Sequence, residues 1–548
     1  MRNTAHLAAL LLCAPLSIES AAASPQTDSE LFETIKLTAQ DGEAEEYLGY
    51  SVALHDGRAL VGAFRDGELH ESAGAAYLFD IETGAQLLKL LPNTSGENHL
   101  FGSAVALRGD IALVSSVAPN PNGTGAVLIF DATSGLQLGE LLPSNGETGD
   151  MFGLTLSMTE THALVGSFRD SDPNNVTGAA YLFELATGTE VAKFTPDDGH
   201  DIDLFGFSVA LSDERAIIGA PFSDNPVAGP ESGAAYLFDM QTGAQLTKMT
   251  PSDASWGGHF GFSVALHEDV MAIGSANAEM AYIFDADSGA ERFRLLPPHP
   301  GADDLFGFGL GVSERGVVVG ARSHSHDGLN KGAAFLYDKN TGFLLKELLA
   351  SDASDHAYLG QSIAVDGSDV ILGAIGETNG ADPSVIGIGA AYIYDIKLQP
   401  GVPFCFATPE TCPCNNSFGI AQGCANSSCQ GAVLRGSGSD SVSADDLSLT
   451  ATGLTTGPGL FFQGNNAVNG GTGVAFGDGL RCVGGRVKRL QVNFSTFGES
   501  TSTVSIATKG EVIVGDTKYY QYWYRDPNVW ICDNGFNTTN GYKVTWTP

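Results

Sequence analysis

The heptapeptide FGFSVAL stands at Phe205–Leu211 and returns, letter for letter, at Phe260–Leu266. Five looser copies flank it: LGYSVAL from Leu48, FGSAVAL from Phe101, FGLTLSM from Phe152, FGFGLGV from Phe306 and LGQSIAV from Leu359. Successive copies lie 53, 51, 53, 55, 46 and 53 residues apart. Seven copies at a period near 50 leave few folds open. Such a period marks an array of equivalent supersecondary units, each burying a face against the next.

Every unit has the same parts. The alternating run SVAL is followed by a tight polar turn such as HDG (55–57) and a second apolar run such as AIIGA (216–220). A longer irregular loop leads to GAAYLFD (74–80 and again 233–239). A Thr-Gly turn (83–84, 187–188, 242–243, 341–342) precedes a fourth run such as AQLLKLL (85–91). Four short alternating runs punctuated by Gly, Asp and Pro predict an antiparallel four-stranded blade. Seven blades in a ring predict an all-β, seven-bladed β-propeller over residues 31–396. The seventh unit has no fourth strand after GAAYIYD (389–395), whereas LFETIKLTAQDG (31–42) precedes the first unit and matches FLLKELLASDA (343–353). The N-terminal strand is therefore expected to complete the last blade, which removes an open seam.

Phe205-Gly206 paired with Gly219-Ala220-Pro221 in one unit resembles the FG-GAP repeat, which builds the seven-bladed propeller of integrin α subunits and of many exported bacterial proteins. The resemblance implies ligand binding and adhesion more than catalysis. It also implies calcium in Asp-rich loops between the first and second strands. Here those positions hold HDGR (55–58), RGDI (108–111), SDER (212–215), HEDV (267–270) and DGSD (366–369), none with the spaced oxygen ligands of a calcium loop. Calcium remains conceivable, but no family site carries over and no cofactor is demanded. The Arg108-Gly109-Asp110 tripeptide falls in a turn common to every repeat and reads as structural.

In such a ring the first and third connections share one face, and the longer, more varied second and fourth connections share the other, here called upper. Function on a scaffold favours varied loops. The fourth connections carry His99, Asp201, Asp203, Trp256, His259, Asp303, Asp304 and His356. The second-to-third-strand loops add Arg65, Asp66, Arg169, Asp170, Arg322, His324 and His326. Carboxylates beside histidines suit cations or acid–base work, and Trp256 suits stacking on a sugar; the alternative is that these residues only shape turns. SHSHDG (323–328) is the best local metal candidate.

The chain carries a formal charge of −37, and ten acids against nine bases after residue 400 leave −36 of it in the earlier region. That balance argues against nucleic acid, which needs a basic stripe. Arg2, the apolar Leu7–Leu16 and Ala21-Ala22-Ala23 read as a secretory signal over residues 1–23, and no later apolar run is long enough for a membrane helix. The expected location is secreted or at the cell surface. Seven of the eight cysteines lie in the tail, and in an exported protein they predict disulfides rather than zinc. Residues 402–548 show short alternating runs and predict a disulfide-pinned β-sandwich. KYYQYWYRDP (518–527) puts Tyr520, Tyr522 and Tyr524 on one face, with Tyr519 and Trp523 on the other, as in a central strand. The pattern FCF…CPCNN…GCANS, with FGDGLRC and YQYWYRDP, is similar to a C-terminal module of exported bacterial proteins. That similarity implies pairing among Cys405, Cys412, Cys414, Cys424, Cys482 and Cys532, and leaves Cys429 additional.

Three functions follow in order: recognition of an extracellular glycan or protein by the upper face without catalysis, a polysaccharide-active lyase or hydrolase using that face, and a purely structural envelope role.

Overall fold

The computed structural model describes residues 30–94, 96–117, 123–171, 176–298, 303–326, 328–340, 342–378, 387–396, 401–406, 411–413, 423–427, 431–496, 498–526 and 535–547. The signal-like segment, Cys414, Cys429 and Cys532 lie outside them. Two compact units divide the chain, Ser24–Lys397 and Leu398–Pro548.

The first unit is a ring of seven antiparallel sheets. Blade one is Ser51–His55, Arg58–Ala63, Ala75–Asp80 and Gln86–Leu90, hydrogen-bonded in that order, and the other six repeat it. In blade seven, Leu359–Asp366, Asp369–Ala374 and Ala390–Asp395 come from the end of the repeat region, and Ile35–Leu37 supplies the outer strand antiparallel to Ala390–Asp395. The expected closure is present. The preceding residues do something else: Glu30–Phe32 runs parallel to Leu344–Leu349 as a fifth strand on blade six. Thr34 ends the run by donating both its backbone N–H and its hydroxyl to the Ile393 carbonyl, so the chain steps from one blade edge to the next within two residues.

Six of the seven letters of FGFSVAL have a contact that explains their recurrence. The Phe205 side chain is wholly buried and packs edge-on to Tyr236 and Phe238, with centroids 5.4 and 5.9 Å away. Its N–H bonds the Thr177 carbonyl of the preceding blade at 2.9 Å. Gly206 follows with φ +90°, and a Cβ there would lie 2.2 Å from the Ala179 carbonyl oxygen, so only glycine lets the two blades touch. The Phe207 ring packs between Phe168 and Phe262 of the neighbouring blades. The Ser208 hydroxyl donates to the Gly261 carbonyl of the next blade at 2.8 Å. Val209 and Leu211 join Leu164, Leu182 and Phe238 in the core between blades three and four. Burial of such side chains contributes about 1.5–3 kcal/mol each.

The hydroxyl-to-carbonyl bond recurs from Ser51 to Gly102, Thr155 to Gly206, Ser263 to Gly307 and Ser362 to Gly49. It is accompanied by a glycine on the second strand, because a Cβ on Gly62 would sit 2.1 Å from the Gly102 oxygen. Blade two departs from this: Ser115 replaces the glycine and Ala104 the hydroxyl residue, and the Ser115 hydroxyl accepts from the Ala104 N–H at 2.7 Å.

In the second unit a sheet ordered Val402–Phe404, Gly541–Thr545, Thr517–Arg525, Gly457–Gly464 and Lys488–Ser495 faces a smaller sheet of Val433–Ser437, Ser448–Thr452 and Ser500–Thr501. Thr517–Arg525 is internal, and Tyr520, Tyr522 and Tyr524 are fully buried with Trp546, Leu434 and Leu449. Two disulfides, Cys405–Cys482 and Cys412–Cys424, lie at the opposite face of that strand with Trp523 and Tyr519.

Candidate functional site

Most acids of the upper loops are taken up by the seams between blades. The third-strand tyrosine of GAAYLF is the anchor. Tyr77 donates to Asp66 at 2.7 Å and to Asp41 at 3.1 Å, and Lys89 from the fourth strand reaches Asp41, Glu68 and Asp66 at 2.6, 2.6 and 2.9 Å. Burial works against the Lys89 charge, but these carboxylates more than restore it and hold its proton well above the usual lysine range. The pattern repeats as Tyr181, Asp170 and Lys193, with Asn145 in the linker. It repeats again as Tyr236, Asp198 and Lys248, and as Tyr392, Asp352, Glu377 and Lys36. Asp66, Asp170 and Asp203 are only 1, 5 and 2% exposed. The Asp203 carboxylate accepts the His200 N–H at 2.8 Å, and burial pushes its pKa up. Glu46, the equivalent residue in blade one, is pushed to about 7, chiefly by burial, with Asp66 adding repulsion. These carboxylates brace loops and are sealed from large ligands.

What faces the axis at the upper end is aromatic. Phe168 meets Phe207 at 5.6 Å, Phe207 meets Phe262 at 5.0 Å, and Phe262 meets Phe308 at 4.9 Å. Across the ring Tyr50 lies 4.3 Å from Phe64, and Tyr47 lies 5.7 Å from the same ring. Arg322 extends the first arc from Phe308 to Tyr358. Its guanidinium lies 4.5 Å from the Phe308 ring centre and 5.3 Å from that of Tyr358, and Nη1 donates to Gln361 Oε1 at 2.5 Å. Burial lowers the Arg322 pKa, and its Nε is buried without a hydrogen-bond partner. Arg322 occupies the place held by Phe64 in blade one and Phe168 in blade three, directly after the second strand. Two more cations sit one residue beyond those phenylalanines: Arg65, over Tyr47 and Phe64, and Arg169, over Phe168. Both are exposed.

Blade six departs from the seam pattern as well. His324 stands where Asp66 stands in blade one, with the same backbone bonds from its N–H to Ala321 and from Gly332 to its carbonyl. Its Nδ1 lies 2.9 Å from Asp304 Oδ2 and its Nε2 3.7 Å from Glu347 Oε1. His326 completes a group with His324 and Glu347 whose ligand atoms all lie within 4.8 Å of one another.

The remaining candidates are spread over the rim. Trp256 is 75% exposed beside Gly229, and His259 stacks on Phe222 with centroids 4.5 Å apart, its Nε2 3.5 Å from Glu231. Asp201 Oδ1 accepts the Val176 N–H at 2.8 Å, a loop-shaping role. Asp303 is exposed with φ +73°. His356 is exposed, its Nδ1 3.3 Å from Asn330 Nδ2 and 3.4 Å from the Tyr358 hydroxyl. In blade two, burial lowers the His99 pKa. Arg322 thus sits in the collar and His324, His326 and Asp304 gather in blade six, while Trp256, His259 and His356 are rim residues. Sequence reasoning missed the aromatic chain of Phe207, Phe262, Phe308, Phe64, Phe168 and Tyr50, of which Phe168 is buried and the others half-buried. The signal was there: an aromatic residue directly after the Leu/Phe-Gly pair in four copies (Tyr50, Phe207, Phe262, Phe308). Glu347 was missed because it sits in a strand that reads as ordinary alternation.

Seven four-stranded blades joined by glycine seams define a β-propeller. The chain belongs to the FG-GAP repeat family, whose repeat matches at residues 32–79, 136–183, 189–238, 244–291, 290–337 and 345–394, more than half of the chain. The unmatched interval 80–135 contains the first three strands of blade two, where Ser115 and Ala104 replace the usual glycine and hydroxyl residue. A search of curated proteins found no match. Disulfides and FG-GAP repeats are typical of extracellular proteins, and no helix among the described residues is long and apolar enough to cross a membrane.

Proposed function

We propose that this protein is an exported, non-catalytic recognition protein that binds an extracellular glycan or protein at the upper mouth of the propeller, with the aromatic collar and Arg322 as the contact surface. The observation that supports this reading is Arg322 itself, a desolvated cation between aromatic rings with an unused Nε donor. A guanidinium in that state costs stability unless something pairs with it, and a planar fork of donors suits a carboxylate. The surrounding ring faces suit the C–H faces of a sugar, which favours a glycan bearing carboxylates over a purely neutral one. Arg65 and Arg169 at the same mouth offset locally the acidity of the rest. Trp256 and His259, farther out on the rim, are secondary contacts in this reading.

The test is retention of the full-length protein on immobilised neutral and uronate-containing polysaccharides and on matrix proteins, beside the Arg322→Met variant. Retention by a carboxylate-bearing glycan, lost in Arg322→Met, supports the reading. Retention unchanged by Arg322→Met moves the site off the axis. No retention by folded protein on any surface favours the structural role.

A further inference from the structure

We propose that blade six holds a divalent transition-metal ion, zinc by its donor chemistry, on His324, His326 and Glu347.

The argument starts from what the other blades do at the same positions. Blades one, three and seven place a carboxylate after the second strand (Asp66, Asp170, Glu377) and face it with a lysine (Lys89, Lys193, Lys36) at 2.9, 2.8 and 3.5 Å. In blade six the carboxylate has moved to the fourth strand as Glu347, paired in register with Phe335 as Lys89 is with Tyr77. No lysine replaces it there; the facing residue is His324. The seam keeps its negative charge but has exchanged its ammonium partner for an imidazole.

Glu347 is 9% exposed, and its Oε1 is buried with no hydrogen-bond partner. An ionised oxygen in that position is strongly disfavoured unless a cation meets it. His324 Nε2 lies 3.7 Å from it, too far for a hydrogen bond. Zinc holds nitrogen and oxygen ligands at ~2 Å in a tetrahedron, which sets neighbouring ligand atoms about 3.3 Å apart. That pair is already close to the required span, and His326 lies within the same 4.8 Å group.

The ring of His324 is held for this role. Asp304 Oδ2 accepts from Nδ1 at 2.9 Å, which leaves the Nε2 lone pair directed toward Glu347, and Phe335 packs edge-on against the ring with centroids 5.7 Å apart. A carboxylate behind a ligating histidine fixes tautomer and orientation and raises its basicity. Two imidazoles and one carboxylate select zinc and its neighbours over calcium or magnesium, which prefer all-oxygen sites. Three protein ligands leave a fourth position, and His326, only partly buried, places it toward solvent.

The experiment is calorimetric titration of Zn²⁺ into the chelator-stripped full-length protein, followed by thermal unfolding with and without the ion. The expected result is one ion per chain, a rise in Tm on binding, and affinity reduced about tenfold or more in both His326→Ala and Glu347→Gln. His326 is at the surface side of the group, so His326→Ala decides the question even if Glu347→Gln does not fold. Absence of zinc binding by folded protein overturns the proposal, as does zinc binding undiminished in His326→Ala. Uptake of Ca²⁺ in place of Zn²⁺ overturns it too. Loss of zinc binding in His326→Ala with Arg322-dependent ligand retention intact would separate this site from the axial one.

Discussion

The Ser362 hydroxyl donates to the Gly49 carbonyl across 2.8 Å, joining residues 313 positions apart. It is the same bond that Ser51 makes to Gly102 between neighbouring blades, so the closing seam is built like four others in the ring. Beside it, a Cβ on Gly373 would lie 1.9 Å from the Gly49 oxygen. Gly373→Ala is expected to wedge the last and first blades apart, at a cost of about 3 kcal/mol or more. Gly57→Ala, with φ +71° but nothing within 4 Å, is expected to cost only about 1–2 kcal/mol. Urea unfolding of the two variants makes the comparison; equal losses would mean that contact at the seam does not matter.

Lys89 is the cation for a carboxylate that is only 1% exposed, Asp66. Lys89→Met leaves that charge buried and uncompensated, and should cost about 3–5 kcal/mol. Combining it with Asp66→Asn should recover most of the loss, because the neutral amide can still accept from Tyr77. The pair of variants is compared by urea unfolding at neutral pH, and a double variant no better than the single one would contradict the cluster's electrostatic origin.

Glu46 has a folded pKa near 7 against an ordinary 4.5, first because it is buried, with the Glu43 N–H opposing and Asp66 reinforcing the shift. A raised carboxyl pKa means that the folded state binds the proton more tightly than the unfolded chain. The destabilisation is absent below about pH 4.5, grows as pH rises toward 7 and is complete above it. Glu46→Gln removes it while keeping an oxygen for the Glu43 N–H. The variant should therefore melt higher than the parent at pH 8 and close to it at pH 4. A difference in Tm that does not change with pH would contradict this.

The Cys405–Cys482 bridge spans 77 residues and Cys412–Cys424 spans 12. Chain-entropy reasoning assigns them about 4.5 and about 2.8 kcal/mol respectively. Cys405→Ala with Cys482→Ala should lower the unfolding midpoint of the second unit more than Cys412→Ala with Cys424→Ala. The propeller has no cysteine of its own, so reductant should leave its transition in place. Differential scanning calorimetry with and without reductant checks both points.

The seven-fold ring was legible because its evidence is local. Each copy of the heptapeptide carries its own alternation, turn and glycine, and the missing fourth strand of the last unit pointed to the N-terminus. The split of that terminus was not legible: Glu30–Phe32 and Ile35–Leu37 both read as strand, and only the spacing between two blade edges sends them to different sheets. Alternation also placed Tyr520, Tyr522 and Tyr524 together in a core, which the tail confirms.

The upper face was legible only as a list. Asp66, His324 and Arg322 look alike in sequence as polar residues in equivalent loops, yet one is sealed beneath Lys89 and Tyr77, one faces Glu347, and one lies among aromatic rings. The chain alone determines which strand each residue follows, because the repeat sets that in register. Which residues meet across a seam or around the axis depends on closure of the ring, which brings together positions dozens to hundreds apart. Burial, charge pairing and the chemistry of the mouth are therefore properties of the closed propeller, decided by contacts that no single repeat contains.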